Sequence, residues 1–324
     1  MIRLALVELT RLRWRRAVIT LLVIAIVVPA VIGVVRAWST RPMSESQFAQ
    51  IKEDAADSIA ECVEHPRQWG IRAKDPERIR AVCTQNTVGW QLQRQPLSLA
   101  SERNGGSGVG VVAVLTALLM LAGTTFVGHD WNSGSMSNQL LFEPRRRRLW
   151  TAKALAVTGV AFALAAVVST AYWLALWATM QARDLTVLDG SLADSLFYGL
   201  RGAGFAAAAG LGGYALTMLF RSTVATIGVL FGVSVAGGIV IAVLGIGDQW
   251  QPQKNVAAIV KDGTTYYVDV PDSCYVGQQE APADDSECDP ERDLTIGHGL
   301  GYYGTALAVT VGASVLSFHR RDVP

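Results

Sequence analysis

Apolar residues run without a polar stripe through six stretches, residues 17–35, 109–127, 154–180, 196–220, 224–246 and 300–318. A helix of about 20 apolar residues crosses a hydrocarbon layer about 30 Å thick. A core helix of a water-soluble protein would show polar positions every three or four residues; these stretches do not. Five of them hold no Asp, Glu, Lys, Arg or His, and the sixth holds only Arg201, near one end. The pattern predicts an all-α polytopic membrane protein with six transmembrane helices.

The first stretch follows Arg11, Arg13, Arg15 and Arg16, which is also how a secretory signal begins. Nineteen apolar residues exceed the usual signal core, and no small-x-small site precedes Arg36–Trp38, so a retained span is expected. With residues 1–16 in the cytoplasm, six spans return residues 319–324 to the same side. That side then holds 13 Lys and Arg against Glu8, Asp130, Glu143 and Asp322, and the opposite side 15 bases against 23 acids. Positive charge collects on cytoplasmic segments, so both termini are expected inside. Trp14, Trp131 and Trp150 fall near inner span ends, and Trp38, Trp173, Trp177, Trp250, Tyr302 and Tyr303 near outer ends, where aromatic anchors belong.

Overall charge changes the picture only by exclusion. The 28 Lys and Arg against 27 Asp and Glu give +1, which leaves no global positive field for a nucleic-acid partner. The partner the composition does require is a lipid bilayer.

Two outer connections, 36–108 and 247–299, are long, whereas 181–195 is short. In the first, Phe48, Ile51, Ala55, Ile59 and Cys62 recur at helical spacing, with Ser44 placed to cap the start and Pro66 to mark the end. A second short helix is expected from Pro76 to Cys83. In the other, residues 256–260 and 264–270 flank Lys261-Asp262-Gly263 and predict a β-hairpin. All four Cys lie in these loops. The simplest pairing ties Cys62 to Cys83 and Cys274 to Cys288, which suits an oxidising compartment; four free thiols are the alternative. A zinc site lacks His at ligand spacing, and the acids of the last loop lack the spacing and Gly of a calcium loop.

The informative inner segment is 128–153, GHDWNSGSMSNQLLFEPRRRRLWTAK. Asp130, Asn132 and Ser133 interrupt the apolar run where chain meets water. Ser135 is placed to cap a short helix through Phe142, with Met136 and Leu140 on one face and Leu141 beside them. Pro144 suits the first turn of the next helix. Four consecutive Arg at a helix N-terminus oppose its dipole, so anionic headgroups and topology account for them. An interfacial helix presenting apolar residues wants a partner.

On these residues the chain resembles the permease subunits of ABC-2 type exporters. The family's loop between spans two and three has an acid, Gly-Ser/Thr, Leu-Leu, Pro, Arg and Lys; the positions here are Asp130, Gly134, Ser135, Leu140, Leu141, Pro144, Arg147 and Lys153. The family more often has Glu where Asp130 stands. The ending from Phe318 to Val323 is also similar, and residues 1–16 resemble the family's elbow helix, with Leu4 and Val7 departing from a clean polar face. Neither long outer loop is typical of the family. The resemblance implies two permeases, this chain with a second copy or a paralogue, above two ATP-binding subunits that seat the helix within residues 133–142 as a coupling helix. No cofactor is expected on this chain; ATP and Mg²⁺ would sit on the partner, because no G-x-x-x-x-G-K-[ST] occurs here.

Three further features have two readings each. Arg201 snorkels, or meets an anionic substrate or Asp194. Gly228 with Gly232, and Gly297 with Gly301 and Gly304, mark close helix approach or ordinary membrane glycine. His129 is a pH-sensitive coupling residue or a plain interfacial His. A membrane-embedded enzyme would need paired ionisable groups at depth, and the spans hold one Arg, no acid, no His and no Cys. A complex that transmits ATP-driven motion to an outer partner without transport is the nearer alternative.

Overall fold

The computed structural model describes residues 2–42, 44–71, 75–92, 96–244, 247–270 and 288–322. Among them are six helices long and apolar enough to cross a membrane, as the hydrophobic pattern predicts. Five of these helices, all but the one from Thr223, outrun their apolar stretches, because polar residues at a membrane edge end the apolar pattern without breaking backbone hydrogen bonds.

In chain order, α1 (Ile2–Arg13) turns at Trp14 into α2 (Arg16–Ser39). Four shorter helices follow: α3 (Glu45–Asp54), α4 (Ala56–Glu64), α5 (Pro76–Leu92) and α6 (Leu99–Asn104). Then come α7 (Ser107–Asn132), α8 (Ser135–Phe142), α9 (Arg146–Gln181), α10 (Ser191–Phe220) and α11 (Thr223–Leu244). The chain closes with α12 (Pro252–Lys261), β1 (Thr264–Tyr267), β2 (Glu291–Leu294) and α13 (Ile296–Arg320).

The chain divides into two compact units, residues 1–33 with 99–178 and 188–324, and residues 34–98 with 179–187. In the smaller unit Ser44 caps α3 in a capping box with Gln47, which satisfies two otherwise orphaned N–H groups. The expected single helix breaks at Ala55 into α3 and α4, and the helix from Pro76 runs on to Leu92. Cys62 and Cys83 are disulfide-bonded and, with Ile71, form the buried centre of this unit. Cys288 is disulfide-bonded as well; Cys274, its expected partner, lies outside the described residues.

The larger unit is organised by the seam between α7 and α10, where glycine lets the backbones touch. A Cβ at Gly213 would lie 2.6 Å from the Met120 carbonyl oxygen, and one at Gly123 would strike the Gly210 carbonyl. Close backbone approach of this kind replaces the hydrophobic effect, which is absent between helices in lipid. Gly228, Gly232, Gly301 and Gly304 face open space instead. Trp150 Nε1 donates to Ser314 Oγ (3.1 Å), Tyr214 Oη donates to the Trp150 carbonyl (2.8 Å), and Arg146 reaches the Phe318 carbonyl (3.2 Å). The start of α9 and the ends of α10 and α13 therefore gather at one end of the bundle, the basic end.

Two expectations are corrected here. The hairpin's first strand is helix α12: Pro252 occupies its first turn, and Asn255, Ala258 and Ile259 are buried at helical spacing. The Gly turn is real, with Asp262 and Gly263 at positive φ, but it ends a helix. β1 pairs antiparallel with the distant β2, Thr264 opposite Leu294 and Tyr267 opposite Glu291. Trp173, read as an interfacial anchor, is 1% exposed and stacks edge-on between Tyr172 and Tyr198; Trp150 is likewise core.

Candidate functional site

At the basic end the start of the chain is locked into the bundle by ions. In α1, Leu4, Glu8 and Leu12 stand four residues apart, on one face. Leu12 and Leu4 pack into the core, which carries Glu8 in with them to 3% exposure. Lys153, on the second turn of α9, is fully buried, and so is Asp130 near the end of α7. Lys153 Nζ lies 2.8 Å from Glu8 Oε2, 2.6 Å from Asp130 Oδ2 and 5.2 Å from the Phe126 ring centroid. Asp130 Oδ1 also accepts from Arg15 (2.7 Å) and Arg11 (3.1 Å).

Arg11 continues the network outward. One of its Nη atoms pairs with Glu8 at 3.3 Å, and the other donates to Ser135 Oγ at 2.8 Å. Gln139 Nε2 donates to the same Ser135 oxygen at 3.0 Å. Three cations thus meet two carboxylates, a net of one positive charge. Arg11 and Arg15 keep side-chain exposures of 25% and 20%, so the excess charge sits where water reaches it. A buried cation deprived of its partner costs roughly 3–5 kcal/mol, so the cluster holds α1, α7, α8 and α9 together as one block.

The residues singled out in segment 128–153 separate into two groups. Asp130, Ser135 and Lys153 converge in the cluster. Asp130 does not sit where the chain meets water, because α7 stays helical through Asn132 and carries the carboxylate inside. Gly134, at φ 67°, makes the left-handed turn between α7 and α8; it, and not Ser135, occupies the capping position. Met136 is buried in the core and Leu140 packs against it. Leu141 and Phe142 are 80% and 91% exposed, so the apolar surface of α8 is this dipeptide, not the Met136–Leu140 face.

Pro144 stands in the short linker ahead of α9, not in its first turn, and Arg147 is exposed. Its neighbour Arg146 is the anchor to the end of α13. Burial, then the nearby Arg321 and Arg146 cations, hold Arg221 below its ordinary pKa; it donates to the Asp322 carbonyl at 2.8 Å. Arg201 pairs with Asp262 at 2.5 Å, while Asp194 pairs with Arg103 at 3.2 Å.

Sequence reasoning missed Glu8, Arg11 and Arg15 as site residues, and Phe142 as the most exposed apolar group. The available signal was Glu8 itself, the only acid in the first 16 residues, four residues from Leu4 and from Leu12. Among the described residues no group of three or more His, Cys, Asp or Glu is placed to hold a metal ion. Comparison with models of known families, with curated proteins and with solved structures finds no match to this chain.

Proposed function

We propose that this chain is the membrane-spanning permease subunit of an ABC exporter, with both termini cytoplasmic and α8 as the surface that receives an ATP-binding subunit dimer. The observation that carries the reading is the buried Lys153–Asp130–Glu8 cluster, which reaches the first residue of α8 through Arg11 and Ser135, on a helix whose last two residues are the exposed Leu141 and Phe142. Two residues separate α8 from α7 and three separate it from α9. A push on α8 is delivered to both spans and, through Arg11 and Ser135, to α1, because yielding at the cluster would strand a buried charge. The chain has no phosphate-binding loop of its own, so ATP and Mg²⁺ belong to the partner. A second permease, identical or paralogous, completes the pathway in this reading.

Replacing Leu141 and Phe142 together by Asp tests it. The spans remain folded, because both side chains point to solvent, and the ATP-binding subunit no longer co-purifies in detergent. Undiminished co-purification would place the docking surface elsewhere. A second reading, transmission of motion to an outer partner, draws on the smaller unit, which has its own disulfide-centred core. Vesicles that turn over ATP while moving no cargo would favour it.

A further inference from the structure

At the opposite end of the bundle, a cleft of about 830 Å³ opens between the last turns of α11 and the β1 edge. That volume is within the range that holds a drug-sized ligand, roughly 300–1,000 Å³. Its lower wall comes from α11, through Ser234, Gly238 and Ile241. These recur at spacings of four and three and so share one helix face. The Ser234 hydroxyl donates to the Leu230 carbonyl, which leaves this wall without a free donor. A Cβ at Gly238 would meet no atom within 4 Å, so this glycine borders open space rather than a neighbouring helix.

The upper wall is polar. It includes Gln249, Gln253, Tyr266, Asp248 and Asp269. Asp248 is already occupied, since Lys254 lies 3.1 Å from it and the Tyr267 backbone N–H donates to it. Lys254 is occupied in turn, donating also to the Thr265 carbonyl. Asp269 has no cation set against it among the described residues, so the cleft carries one uncompensated negative charge. The described residues of the same segment, 247–270 and 288–299, are also acidic, with 6 Asp and Glu against 3 Lys and Arg. A surface of one sign raises the local concentration of the opposite ion.

We propose that this cleft binds a lipophilic organic cation, with its apolar body against Ser234, Gly238 and Ile241 and its charge beside Asp269. An anion would be repelled by Asp269, which is exposed at the cleft. That the bound cation is cargo rests on the export reading; that it binds rests on the cleft alone.

Tetraphenylphosphonium is the probe, measured by equilibrium binding to the full chain in nanodiscs of phosphatidylcholine, with partition into empty nanodiscs subtracted. The expected result is a saturable component that Gly238→Trp abolishes and Asp269→Asn weakens about threefold, as for loss of one solvent-exposed ionic contact. Ser234→Phe, which fills the cleft from a second position, abolishes it as well. Tetraphenylborate, of the same shape and opposite charge, shows no saturable component. The site is overturned by equal binding of tetraphenylborate, by full binding in both filled variants, or by no saturable binding to the wild-type chain. Saturable binding together with an α8 that holds no ATP-binding subunit would retain the site and remove the export reading; the converse result would do the reverse.

Discussion

The two ends of the bundle both contain ion pairs, and they are built differently. At the basic end, Lys153 and Asp130 have no exposed side-chain surface, and each has more than one partner. At the other end, Arg201–Asp262 and Arg103–Asp194 are single contacts whose members keep between 21% and 62% of their side-chain surface. Removing a member of a buried network leaves a desolvated charge, whereas an exposed pair returns to water with little loss. A distance near 3 Å is therefore no measure of importance; the burial of the charges that lose a partner is.

Three substitutions sharpen that contrast. Lys153→Met leaves Glu8 and Asp130 buried against an apolar side chain, and should lower stability by roughly 3–5 kcal/mol, read as a large drop in the thermal unfolding midpoint of detergent-purified protein. Glu8→Gln keeps the shape and removes one charge, with Asp130 still facing Lys153; a loss of about 1.5–3 kcal/mol is expected, the value of a charged hydrogen bond. Arg201→Ala should cost no more than about 1 kcal/mol, and a shift equal to that of Lys153→Met would erase the difference between the ends.

The spans were legible because hydropathy depends on composition alone. Which of them touch one another was not, since α11 is as apolar as α7 yet nearly all its side chains face outward. In a solvent as greasy as the helix, packing follows shape, and the relevant glycines were Gly123, Gly210 and Gly213 rather than the G-x-x-x-G of α11. Asp130, Ser135 and Lys153 stood out in the sequence, but their burial did not, because it depends on α1 more than 100 residues away. Residues 256–260 read as a strand because Val256, Ile259 and Val260 are β-branched; Pro252 at the first turn and the paired Ala257 and Ala258 decided for helix. The true partner of β1, Glu-Arg-Asp-Leu, carries no β signature.

The account's central claim is that energy enters through the exposed tip of α8. It is tested most directly by a photo-crosslinking amino acid placed at position 142, and at 233 in α11 as an exposed control, in cells that make the intact complex. The account predicts a covalent adduct with an ATP-binding protein from position 142 and none from 233. An ATP-binding protein caught at neither position, or at 233 alone, would contradict it.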